Sequence, residues 1–142
     1  MARRTRRTPF PALFWVGNII EILERLAYYG LYMGFGVYAT TAMAAGGLGW
    51  TTSQLGFIQT VFLVLSYGVP LVSGVLADRY GFKRMLLVSF LLYLPGFLFL
   101  ILTRQIILVM LVMALIGIAA GVFKPLIAGT VRLTTDDSSR TM

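Results

Sequence analysis

The run PALFWVGNIIEILERLAYYGLYMGFGVY, residues 11–38, is apolar, aromatic or small along most of its length, yet carries Glu21, Glu24 and Arg25 near its centre. With about 1.5 Å of rise per residue, a helix of this length crosses a hydrocarbon core about 30 Å thick. Glu21 then lies about 15 Å along the helix from Pro11, near the middle of a bilayer. Whether this charged run spans a membrane decides the fold, and the remainder of the chain answers that.

The protein has 142 residues, of which 58% are hydrophobic and 12% charged, and its mean hydropathy is +0.87. A soluble domain is nearer half apolar and a quarter charged. Residues 55–77, 85–102 and 106–128 supply the excess, each about 18 residues or longer and so able to cross a bilayer as a helix. The prediction is an all-α integral membrane protein, a single unit over 1–142 with four transmembrane helices at about 11–40, 55–77, 85–102 and 106–128. The lipid bilayer is its main surroundings.

Arg3, Arg4, Arg6 and Arg7 precede the first span, Arg79, Lys83 and Arg84 separate the second from the third, and Arg132 and Arg140 follow the fourth. Only Arg104 falls on the other side. This bias predicts a multi-pass protein of the plasma or inner membrane with both termini cytoplasmic. The net charge of +7 then reflects topology, and no nucleic-acid partner is expected. Residues 42–44 mimic a signal-peptide cleavage site, but the preceding run is too long and too charged for one. There is neither cysteine nor histidine, which removes disulfides, thiol chemistry and imidazole catalysis. No metal motif is present, and no nucleophile–base pair supports an enzyme.

Residues 44–49 (AAGGLG) break the first hairpin, and Thr51, Thr52 and Ser53 are N-cap candidates for the second helix. Pro95-Gly96 predicts a bend in the third span and Pro125 a disturbance of the fourth. Small and polar residues recur at helical spacing. Gln59, Ser66, Pro70, Ser73, Gly74 and Ala77 mark helix two; Ala114, Gly117, Gly121, Lys124 and Ala128 mark helix four; Gly30 and Gly34 mark helix one. Such stripes let backbones approach closely in lipid. Helix three reads as the most lipid-facing, with Ser89, Tyr93 and Gly96 as faint signs of a packed side.

In a helix turning about 100° per residue, Glu21, Glu24, Arg25, Tyr28 and Tyr32 share an arc of about 100°, with Gly30 and Gly34 opposite. Glu21, Glu24, Arg25 and Lys124 are the four intramembrane charges, and they sum to zero. Each such charge costs roughly 2.5–3.5 kcal/mol on insertion scales. A pure packing role is poorly served by them, because apolar residues pack as well without that cost. A balanced set predicts convergence on one internal cavity. Two carboxylates facing two cations make a proton switch, in which withdrawal of a cation leaves a glutamate to take a proton.

The stretch Glu21-Ile-Leu-Glu24-Arg25-Leu-Ala-Tyr28-Tyr29-Gly30 resembles the E-x-x-E-R-F-x-Y-Y-G motif in the first helix of the proton-dependent oligopeptide transporter family, part of the major facilitator superfamily. Residues 74–84 (GVLADRYGFKR) resemble the superfamily's loop between helices two and three. Residues 121–125 (GVFKP) resemble the fourth-helix segment that carries the family's lysine, and Tyr67 before Pro70 matches a pocket tyrosine. Leu26 stands where the motif has phenylalanine, Tyr32 where many peptide transporters have arginine, and Leu126 where a polar residue often follows Lys-Pro. The resemblance implies proton-coupled symport of small peptides or related solutes, with no cofactor and a proton gradient as driving force. It implies that Glu21, Glu24 and Arg25 form a coupling network with Lys124 as salt-bridge partner. Tyr28, Tyr29, Tyr32 and Tyr67 would lie at the substrate cavity. Gly74, Asp78, Arg79, Gly81, Lys83 and Arg84 would form a cytoplasmic gate.

Superfamily members have about twelve helices, built from inverted repeats around a central site. The four helices here therefore read as the N-terminal portion of a transporter whose remaining helices are absent from the chain, and residues 134–142 as the start of a loop. Two other readings are a superfamily transporter of a sugar, drug or other metabolite, and a truncated four-helix protein with a structural or regulatory role only. Competition by dipeptides separates the first from peptide transport, and Glu21→Gln separates transport from scaffolding.

Overall fold

The computed structural model describes residues 12–140, with side chains for all but 13 and 130–140. Four long helices follow in chain order: α1 (Ala12–Thr40), α2 (Thr52–Tyr80), α3 (Phe82–Leu102) and α4 (Ile106–Arg140). A short 3-10 turn, Met43–Ala45, lies between the first two. Among the described residues α2, α3 and the first part of α4 (Ile106–Gly129) are long and apolar enough to cross a membrane. Helix α1, as long as α2, carries Glu21, Glu24 and Arg25 within five residues near its centre.

Local chemistry explains each junction. The chain leaving α1 doubles back so that the N–H groups of Leu48, Trp50 and Gly49 donate to the carbonyls of Tyr38, Ala39 and Thr41. The last carbonyls of the helix are thereby satisfied. Thr51 caps α2: its hydroxyl accepts the Gln54 N–H at 3.3 Å, and the Gln54 side chain accepts the Thr51 N–H at 3.0 Å. This reciprocal pair is a capping box.

The basic loop expected at 78–84 is a single residue. Gly81, at φ 89°, reverses the chain between Tyr80 and Phe82 in a conformation that side-chain-bearing residues rarely adopt. The fourth helix also differs from expectation, because it continues to Arg140 instead of ending near residue 128. Thus the segment from Thr134, read as the start of a loop, is helical through Arg140. Neither Pro95 nor Pro125 interrupts its helix.

Helix α4 is the hub, packed extensively on α2 and α3 and less on α1, while α1 and α3 make no close backbone contact. Its face of Val109, Met113, Ile116, Ala120, Phe123 and Ile127 is buried. A Cβ on Gly121 would stand 2.6 Å from Val69 Cβ and 2.9 Å from the Leu65 carbonyl, and one on Gly117 2.9 Å from the Phe62 carbonyl. Those glycines bring the α4 backbone against α2, as small residues do in membrane helices. Gly30 and Gly34 differ, for nothing lies within 4 Å of a Cβ built there. The packing face read for α1 is thus unfilled among the described residues.

Candidate functional site

The charged turn of α1 places its three ionisable groups in different surroundings. Glu24 is buried, with 7% exposure, whereas the side chains of Glu21 and Arg25 are each more than one-third exposed. Helical spacing does this: Glu24 and Tyr28, four residues apart, share the inward stripe, and Glu21 and Arg25 flank it. Arg25 Nη2 stands 3.9 Å from Glu21 Oε1, and Arg25 Nε 4.0 Å from Glu24 Oε2. These separations exceed hydrogen-bond length, so the pairs are loose.

The close partner of Glu24 comes from α3. Tyr93 donates its hydroxyl to Glu24 Oε1 at 2.6 Å, a length typical of a charge-assisted bond. The other oxygen, Oε2, is buried without a hydrogen-bond partner. Around this pair runs an apolar groove of about 260 Å³ between α1 and α3, lined by Ile20, Leu23, Ala27, Phe90 and Phe97 together with Glu24 and Tyr93. A buried carboxylate oxygen without a donor is unfavourable by about 1–3 kcal/mol or more. Arg25, whose Nε stands 4.0 Å away, would relieve that penalty at closer range.

Lys124 is held elsewhere. Its ammonium donates to Ser66 Oγ at 2.8 Å and to the Ser66 carbonyl at 3.3 Å, both on α2. It also lies 3.7 Å from the ring centre of Tyr67 and 4.9 Å from that of Tyr28, within cation–π range. Ser66 in turn donates to the Tyr28 hydroxyl at 3.2 Å. The salt bridge implied between Lys124 and a glutamate is therefore not formed in this structure. A serine hydroxyl, a free carbonyl and two ring faces satisfy the ammonium instead. Glu24 faces the α1–α3 groove while the hydrogen bonds of Lys124 run to α2, with Glu24 and Arg25 still within electrostatic reach of the ammonium.

The expected cavity tyrosines also divide. Tyr28 is buried and packs on Phe62, with ring centres 5.2 Å apart, and half-buried Tyr32 stacks on the other side at 6.1 Å. Tyr29 is exposed and meets Tyr28 edge-on, while Tyr67 is exposed beneath Lys124. In the proposed gate motif, Gly74 is half-buried and Asp78, Arg79, Lys83 and Arg84 are exposed around the Gly81 turn. Asp78 forms no ion pair among the described residues, and the Arg79 guanidinium lies 5.7 Å from the ring centre of Tyr80.

Three residues at this site went unassigned in the sequence reading: Tyr93, Ser66 and Ser73. Their signal was present. Tyr93 belongs to the faint polar side of α3 with Ser89, whose hydroxyl donates to the Ala119 carbonyl at 2.9 Å. Ser66 and Gly121 each precede a helical proline by four residues.

A buried carboxylate and a half-buried lysine on the first and fourth helices of a membrane bundle mark a candidate functional site. The family model described as Major Facilitator Superfamily matches residues 25–142. The chain belongs to this superfamily, and it is a multi-pass membrane protein. Two uncharacterized MFS-type transporters of Mycobacterium tuberculosis, from strains CDC 1551 / Oshkosh and ATCC 25618 / H37Rv, are each 31% identical to it over 85 residues. The match covers 60% of this chain and 20% of each relative, so the chain spans about a fifth of their length. No solved structure matches significantly.

Proposed function

We propose that this chain is the N-terminal portion of a proton-coupled symporter of small peptides or related solutes. The observation that carries the proton reading is Glu24, buried in apolar surroundings with one oxygen fixed by Tyr93 and the other unpartnered. Proton coupling needs a carboxylate that is sheltered from water, able to take a proton and close to cations that can move. The burial of Glu24, the loose pairing of Arg25 beside it and the placement of Lys124 on the neighbouring helices support this reading. Glu21, half exposed and paired only at 3.9 Å, serves as a second carboxylate toward which Arg25 can withdraw. Tyr28, Tyr29, Tyr32 and Tyr67 would line the solute path, and the residues about Gly81 would close the cytoplasmic end. The cytoplasmic side is assigned from Arg79, Lys83 and Arg84; Arg3, Arg4, Arg6 and Arg7 lie outside the described residues, as do the side chains of Arg132 and Arg140.

The test is pH-driven dipeptide uptake by the complete gene product in its native membrane. Glu24→Gln is expected to abolish accumulation against a gradient while leaving downhill exchange, and Glu21→Gln to weaken accumulation less. Undiminished accumulation in Glu24→Gln sinks the proton reading. A second reading, symport of another small solute, is favoured by Tyr32: it stacks on Phe62 where a carboxylate-binding arginine would stand in a peptide transporter. Failure of dipeptides to compete for uptake selects that reading.

A further inference from the structure

Two prolines lie within the paired helices, Pro70 in α2 and Pro125 in α4. A proline has no N–H to offer the carbonyl four residues earlier, so Ser66 and Gly121 lose their usual helical donors. Within a membrane, an unsatisfied carbonyl is unfavourable by several kcal/mol. Each of these two receives a donor from the opposite helix. Lys124 on α4 donates to the Ser66 carbonyl at 3.3 Å, and Ser73 on α2 donates to the Gly121 carbonyl at 3.1 Å. The exchange is reciprocal: the proline of each helix opens an acceptor, and a side chain of the other helix fills it.

We propose that Pro70 and Ser66 are positioning residues that build a seat for Lys124, while Pro125 opens the separate acceptor that Ser73 fills. Its relevance to transport rests on the reading of Lys124 as a coupling residue; the seat itself rests on geometry. Ser66 is fully buried and supplies both acceptors, its hydroxyl and its carbonyl, while donating onward to Tyr28 of α1. Tyr28 lies one helical turn from Glu24. The seat therefore holds the lysine near the carboxylate but not on it. Proline at 70 is what frees the second acceptor; any other residue there would return the Ser66 carbonyl to its own helix. The close approach permitted by Gly117 and Gly121 brings the two backbones near enough for a lysine and a serine to reach across.

The chain has two lysines, Lys83 and Lys124, so Lys83→Arg leaves a single lysine to observe. The experiment is solid-state NMR of the full chain in lipid bilayers, with nitrogen-labelled lysine and carbonyl-labelled serine. A through-space cross-peak between Lys124 Nζ and the Ser66 carbonyl is expected in the Lys83→Arg protein. It should weaken in Pro70→Ala, where the restored N–H takes that carbonyl and the lysine keeps only the Ser66 hydroxyl, and stay at full strength in Pro125→Ala, where the Ser66 carbonyl is still free. A purely structural kink would make the two alanine variants behave alike. Absence of the cross-peak before any proline is changed, its undiminished survival in Pro70→Ala, or its equal weakening in both variants overturns the proposal. If Pro70→Ala does not assemble, Pro70→Ser restores the same N–H and decides the matter. No transport is measured, so failure of the symport reading would leave this result untouched, and failure here would leave that reading open to its own assay.

Discussion

The α2–α4 pair and helix α1 use the same vocabulary of glycines and polar residues to opposite ends. Between α2 and α4, Gly117 and Gly121 are filled by the neighbouring backbone, and Ser73 and Lys124 cross to carbonyls on the partner helix. On α1, Gly30 and Gly34 face open space, and the tie to α3 is the Tyr93–Glu24 hydrogen bond across an apolar groove. Stability is concentrated in the first region and ionisable chemistry in the second. Helix α1 is held to its neighbours by side-chain hydrogen bonds, Tyr93 to Glu24, Ser66 to Tyr28 and Gln59 to the Tyr32 carbonyl, and not by interlocked backbones. The difference teaches that a small-residue stripe states only that close approach is allowed, and that the neighbour decides whether it happens.

Four substitutions would sharpen or break this contrast. Gly121→Ala forces its Cβ into the Leu65 carbonyl and Val69, neither of which can swing aside, so a loss near the upper end of about 1–3 kcal/mol is expected in unfolding from detergent micelles. Tyr93→Phe removes a donor from a buried carboxylate and should destabilise by about 1.5–3 kcal/mol, with widening of the α1–α3 spin-label distance. An unchanged distance would show that the groove is held by something else. Ser73→Ala leaves the Gly121 carbonyl without its donor from α2 and is expected to lower stability by about 1 kcal/mol in the same assay. Smallest is Gly30→Ala, with nothing to strike, which should be neutral or stabilising by up to about 1 kcal/mol. A loss for Gly30→Ala equal to that for Gly121→Ala would erase the distinction between the two regions.

The helices and their membrane habit were legible because apolar length is written directly in the residues. The superfamily was legible from three short motifs, and the family match over residues 25–142 agrees with that part of the reading. Helix ends were less so: α4 runs past Pro125 to Arg140, and the Gly121 carbonyl that this proline leaves without its helical donor is met by Ser73, 48 residues away in sequence. At the site, the inward turn of Glu24 follows from periodicity, but its partner does not. Tyr93 is the one tyrosine of α3, and only the approach of α3 to α1 gives it a role. Lys124 shows the limit most plainly. The family resemblance implied a carboxylate partner, whereas the ammonium is met by the hydroxyl and carbonyl of Ser66, which no charge count reveals.

The central claim is that Glu24 is the carboxyl group that takes the proton. The chain has only five acidic side chains, which makes infrared difference spectroscopy between acid and alkaline conditions in lipid bilayers directly readable. The account predicts a protonated-carboxyl band from the dry interior that disappears in Glu24→Gln and persists in Glu21→Gln. A band untouched by Glu24→Gln, or removed by Glu21→Gln instead, would contradict it.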